Sequence, residues 1–212
     1  MPDPLGSAHR GPALVLLNGP PAVGKSTVAR LLVDRRPLAL SLDVDVIRHQ
    51  LGRWEDDAEA AGLAARRLAS SMAATHLSAG AAVVVPQLVA RAGFAEELDA
   101  VAANVGAAFV EVMLWAELAD IRAEFAARSA SSTDAASTDA AHLVERTDGD
   151  VVGDLYQRLA QRLRREEPDG AVPNGAGPDD PARVVVVAAD RGDIATTADR
   201  VVEALDHVGV RW

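Results

Sequence analysis

Residues 19–27, GPPAVGKST, constrain this chain more than any other stretch. They fit G-x-x-x-x-G-K-[ST], a pattern with a chemical meaning only between a buried strand and a helix. Both flanks are present. Residues 13–18 form an apolar run, and Val28, Leu31 and Leu32 recur at helical spacing. In that setting Gly19 and Gly24 let the backbone curl. Successive N–H groups, those of Ala22, Val23, Gly24 and Thr27 among them, then point inward at phosphate oxygens, and the opening helix adds its positive end. Lys25 is placed to reach β- and γ-phosphates, and the Ser26 hydroxyl to ligate Mg²⁺. Lys25 is also the only lysine among 21 basic residues; the rest are arginine.

Further short apolar runs fall at 38–42, 81–86, 107–114 and 183–188. Helical patterns lie between them, at 56–79, 94–104, 117–128 and 150–165, and a last one at 194–208. Leu68 and Met72 mark the apolar face of the long alanine-rich helix, and Val152, Leu155, Leu159 and Leu163 that of 150–165. Strands alternating with helices predict an α/β fold: a five-stranded parallel sheet with helices on both faces, its ligands at the C-terminal ends of the strands. Residues 1–12 read as a loose polar tail and 13–212 as one domain. The small polar tract beginning at Ser129 reads as part of a mobile lid at roughly 129–149.

The net charge of −10 disfavours nucleic acid and anionic membranes as partners. No apolar run has membrane-spanning or signal-peptide length, which reads as a cytoplasmic protein. Cysteine is absent and the five histidines lack metal-ligand spacing, leaving Ser26 as the one metal-binding candidate.

The second strand runs into Asp43-x-Asp45-x-x-Arg48. A phosphate loop on strand one with D-x-x-R after strand two resembles the small P-loop kinases, AAA-type ATP-binding proteins of the P-loop NTPase fold. They include chloramphenicol phosphotransferase and the zeta-toxin, polynucleotide, gluconate and shikimate kinases. The resemblance covers the chain in element order and is most specific at 19–27. It implies ATP and Mg²⁺ as cofactors and a small-molecule hydroxyl as acceptor, with an antibiotic or a sugar-like metabolite as examples. It makes Asp45 the base that takes the hydroxyl proton and Arg48 the residue that holds the substrate. A hydroxyl attacking a γ-phosphate needs such a carboxylate within hydrogen-bond reach. Asp43 caps the helix or contacts substrate, and capping alone would also explain both aspartates. Trp54 either stacks on a substrate ring or packs.

After strand three, where many P-loop proteins carry an acid, stands Gln87, which can hydrogen-bond a metal-bound water or substrate. Arg91 follows within reach of the same region. In the resembling kinases, lid arginines clamp the transferring phosphoryl group; Arg128 and Arg146 flank the polar tract and are the candidates. Arg158, Arg162, Arg164 and Arg165 read as the solvated face of their helix. The loop at Asp190, after strand five, lies beside the adenine in those kinases. Two other functions fit the same residues: a polynucleotide or nucleotide kinase, and a non-enzymatic nucleotide switch.

Overall fold

The computed structural model describes residues 11–130, 150–166, 184–190 and 192–212. The strands are β1 (Ala13–Asn18), β2 (Leu40–Ser41), β3 (Val83–Pro86), β4 (Ala108–Trp115) and β5 (Val184–Ala188). The helices are α1 (Lys25–Val33), α2 (Val44–His49), α3 (Ala58–Ser78), α4 (Gly93–Asn104), α5 (Leu118–Ala130), α6 (Val151–Glu166) and α7 (Ile194–His207). A single 3₁₀ turn, Trp54–Asp57, precedes α3. The tail at 1–10, residues 131–149 of the expected lid, and Arg146 lie outside the described residues.

The five strands form one parallel sheet in the order β2-β3-β1-β4-β5. β1 sits at the centre, with Leu14 opposite Val83 on one side and Phe109 on the other. All six of its residues are buried. A strand covered on both faces has no polar positions to alternate, so it reads as a continuous apolar run. The pleat still sorts its side chains. Ala13, Val15 and Leu17 join a core with α1, α5 and α7, whereas Leu14 and Leu16 join one with α2, α3 and α4. Helices therefore cover both faces, as the sequence pattern predicts.

Two details differ from expectation. The second strand is paired only at Leu40–Ser41, because the chain turns at Leu38, which has φ +58° and is exposed. The core face of α3 is also not the Leu68–Met72 face. Ala61, Ala65, Ala69, Ala73 and Leu77, spaced four apart, are the buried stripe, and Leu68 and Met72 are 45% exposed. Alanines let a helix lie close on the sheet, so the small residues win the inner face although they bury less apolar area each.

Candidate functional site

The phosphate loop connects the C-terminal end of β1 to α1. It turns through three residues with positive φ: Gly19 (143°), Ala22 (61°) and Gly24 (100°). A side chain at Gly19 would run into the Leu114 carbonyl of β4, and one at Gly24 would lie 2.7 Å from Ile194 Cδ1. Glycine is required at both by conformation and by space. α1 starts at Lys25 with no side chain capping it and no acid in its first turn. Its first N–H groups are thus left for an anion. Lys25 Nζ donates to the carbonyls of Gly19 and Pro20, at 3.0 and 2.9 Å. Burial pushes its pKa down to about 8; the Asp45 carboxylate opposes this, Arg128 adds to it, and Asp43 again opposes it. The electrostatics thus bring Asp45, Asp43 and Arg128 within influence of the Lys25 ammonium.

Asp43 uses both carboxylate oxygens. Oδ1 accepts the Asp45 N–H at 3.0 Å, capping α2, and Oδ2 accepts the Ser26 hydroxyl at 3.1 Å. The cap explains why α2 starts where it does. The Ser26 bond ties α2 to the phosphate loop. Asp45, on the first turn of α2, is half-exposed and lies 3.4 Å from Arg48 Nη2. The Arg48 guanidinium stacks 5.0 Å from the Trp54 ring, whose edge also meets His49. Trp54 is therefore placed to pack on α2 and steady Arg48.

Gln87 donates its N–H to the Leu17 carbonyl, and its side-chain Oε1 is buried without a hydrogen-bond partner among the described residues. Arg128, at the end of α5, pairs with Glu124. Arg122 pairs with Asp150 and so joins α5 to the start of α6. Asp190 shapes the turn after β5, its Oδ1 accepting the N–H groups of Gly192 and Asp193. Asp193 then caps α7, and Thr196 hydrogen bonds hold its carboxylate below the usual range. This turn sets Ile194 against Gly24, so the β5–α7 loop borders the phosphate loop.

A polar hub beneath the loop was not legible as a site. Asn18, fully buried, accepts the N–H groups of Gly19 and Val89 and donates to the Val89 carbonyl and to Glu111 Oε1. Glu111 lies in the buried run of β4 and pairs at 2.5 Å with Arg162 of α6, which also donates to the Val89 carbonyl. Arg162 thus does not belong to the solvated face that its helix period assigns it. A long side chain one step off the apolar stripe can reach inward, and a buried carboxylate gives it reason to. The available signal was Glu111 itself, a lone acid between valines.

Two cavities flank the site. One, of about 550 Å³, touches Ser26 and Asp43 and is walled by Val46, Leu68 and Met72. The other, of about 490 Å³, lies beyond Val89 and includes Arg91. For Mg²⁺, the Ser26 hydroxyl backed by the Asp43 carboxylate is the hard oxygen pair that such an ion takes. No group of three or more metal-ligating side chains occurs among the described residues. Phosphate oxygens and waters would join Ser26 around such an ion. No described helix is long and apolar enough to cross a membrane.

Solved structures share this fold. A putative kinase from Chloroflexus aurantiacus aligns with a TM-score of 0.59 at 18% identity, over 92% of this chain and 99% of that one. A gluconokinase from Sinorhizobium meliloti gives 0.53 at 16%, over 94% and 93%. The APS kinase CysC of Mycobacterium tuberculosis, in complex with AMPPNP and APS, gives 0.52 at 23%, over 92% and 98%. At these identities the likeness is one of fold, that of the P-loop kinases. No curated protein matches the chain. The profile of the AAA domain family matches residues 14–148, which takes in the phosphate loop, both aspartates and Arg128, and the chain belongs to that family.

Proposed function

We propose that this protein is an ATP- and Mg²⁺-dependent phosphotransferase acting on a hydroxyl group of a small molecule. The observation that carries the reading is that Asp43 joins the Ser26 hydroxyl to the Asp45 backbone N–H, seating the start of α2 against the phosphate loop. The half-exposed Asp45 carboxylate on the first turn of that helix then stands beside the loop, an arrangement a simple nucleotide switch does not need. The bound nucleotide supplies the phosphoryl group, and Mg²⁺ supplies charge neutralisation at the phosphate oxygens.

The chain's own residues do the rest. The loop N–H groups and Lys25 hold the β- and γ-phosphates. Ser26, hydrogen-bonded to Asp43, would hold Mg²⁺ through its hydroxyl. Asp45 takes the proton as the acceptor oxygen bonds to the γ-phosphorus and ADP departs. Arg48, steadied by Trp54, holds the acceptor and Asp45 in register. Asp43, bonded to the Asp45 N–H and to the Ser26 hydroxyl, caps α2 and orients Ser26. Arg128, close enough to depress the Lys25 pKa, stabilises the charge that spreads over the transferring group, with Arg146 in the same role. Gln87 and Arg91 face the acceptor, and the loop at Asp190 borders the nucleotide base.

The test is a screen of hydroxyl metabolites, sugars and antibiotics with Mg-ATP, read by ADP release and by a phosphate adduct in the mass spectrum. Adduct on a hydroxyl compound, lost in Asp45→Asn, is expected. Tight Mg-ATP binding with no adduct on any compound would favour the switch.

A further inference from the structure

The cavity beyond Val89 is lined by three arginines from three elements: Arg66 of α3, Arg91 of the β3–α4 loop and Arg158 of α6. In a chain with a net charge of −10 this is a local reversal of sign. Arg48, Arg122, Arg128 and Arg162 each face a carboxylate. Among the described residues, none of these three has a carboxylate within salt-bridge distance. The one acid in the lining, Glu97, accepts the Ser70 hydroxyl at 2.6 Å. Arg66 is steadied over the Phe94 ring, at 5.5 Å. Three guanidiniums against one carboxylate leave a net positive pocket of about 490 Å³, a size suited to a small ligand.

Its position connects it to the chemistry. Val89 lines the pocket and is hydrogen-bonded through both its N–H and its carbonyl to Asn18, the residue before Gly19. Arg162, one turn after Arg158, holds the same Val89 carbonyl. The pocket is therefore built on the scaffold that seats the phosphate loop.

We infer that Arg66, Arg91 and Arg158 form an oxyanion subsite and that the acceptor carries a phosphate, sulfate or carboxylate group beside its hydroxyl. The inference rests on the kinase reading and gives its acceptor a chemical class. Guanidiniums present paired N–H donors at the spacing of two oxyanion oxygens, so each bond gives orientation as well as affinity. Anchoring the far end of the acceptor at this pocket fixes where its hydroxyl lies relative to Asp45. Neutral hydroxyl compounds leave the three cations unmatched.

The experiment titrates inorganic sulfate into the full-length protein loaded with AMPPNP and Mg²⁺, which keeps sulfate out of the phosphate loop. The arginine Nε–H signals are followed by NMR and assigned with Arg66→Met, Arg91→Met and Arg158→Met. The expected result is one saturable curve shared by the three signals, weakened about ten-fold or more in Arg91→Met and in Arg158→Met. Inorganic phosphate and acetate, run in parallel, rank the anion classes. Unsaturable drift with all three anions, or an unchanged sulfate curve in both variants, overturns the inference. Thermal stabilisation by AMPPNP is measured on the same samples. If it is absent, the nucleotide reading fails, and the titration of nucleotide-free protein, read at the same three signals, still decides the pocket.

Discussion

Nucleotide binding should draw a proton onto Lys25. Burial leaves its ammonium with a pKa of about 8 in the free protein, against the usual 10.5. Phosphate oxygens placed against it supply the counter-charge it lacks and raise the value again. If the bound state regains the ordinary pKa, Mg-ATP binding takes up about 0.1 proton at pH 7, about 0.5 at pH 8 and about 0.9 at pH 9. Calorimetry in two buffers of different ionisation enthalpy at each pH measures that number. The linkage has two further consequences. Affinity for Mg-ATP falls as pH rises past about 8. Because the folded pKa is the depressed one, the unfolded chain binds more protons between about 8 and 10.5, so the free protein gains stability with pH across that window. Asp45→Asn removes a carboxylate that raises the Lys25 pKa and should move the midpoint of uptake to lower pH; Arg128→Gln should move it higher. Lys25→Met should abolish the uptake and weaken binding. Intact binding with no rise in uptake from pH 7 to 9 would refute the assignment of a desolvated ammonium that meets phosphate.

The other predictions concern the carboxylates, the buried hub and the loop glycine. Asp45→Asn should keep Mg-ATP binding and lose about 10²–10⁴-fold in kcat, whereas Asp43→Ala should cost about 1 kcal/mol in urea unfolding through the lost cap of α2. An Asp45→Asn enzyme with unchanged kcat would remove Asp45 from the reaction. Glu111→Gln leaves the Arg162 charge buried and should destabilise the fold by about 3–5 kcal/mol, with the double variant Glu111→Gln/Arg162→Met recovering part of it. Equal losses in single and double variants would contradict a coupled pair. Gly24→Ala forces a side chain onto φ +100° and against Ile194, at about 1–3 kcal/mol for the backbone alone. Trimming Ile194 to alanine in the same chain should relieve the clash and leave Mg-ATP binding impaired, which thermal shift measures.

The parts of the protein that were legible are those where one local rule decides. The phosphate loop needs glycine at Gly19 and Gly24 for reasons of φ and space, so its residues must stand in the sequence in that order. Strands buried on both faces are built almost wholly from apolar residues, and β1, β3 and β4 are, with Asn18 and Glu111 the buried polar exceptions. The legible parts end where two elements compete for the same residue. On α3 the larger apolar residues, Leu68 and Met72, predicted the inner face, but close approach to the sheet selects the alanines. On α6, helical period places Arg162 outside, but the buried Glu111 carboxylate of β4 draws it in. The arginine pocket is of the same kind. Arg66, Arg91 and Arg158 are far apart in sequence and unremarkable one by one; only the crossing of α3, the β3–α4 loop and α6 makes them a group.

The single lysine shows how the two kinds of information join. A chain that otherwise uses only arginine for positive charge has an alternative to hand at position 25 and does not use it. The geometry supplies the reason. Lys25 Nζ must sit within 3.0 Å of two adjacent loop carbonyls while standing on the first residue of α1. A compact head with three donors on a flexible stem can do that, whereas a guanidinium holds its donors in a fixed planar fork. It also titrates: an ammonium can be desolvated to a pKa of about 8 and regain its proton when phosphate arrives, whereas arginine would keep its full charge in the same desolvated place. The three pocket arginines face the opposite requirement. They stand exposed around an open cavity, where a permanent charge and paired donors favour an oxyanion and no titration is needed. In the proposed reading, one chain uses lysine where phosphate is met at the loop, and arginine where an anion is met at the open cavity.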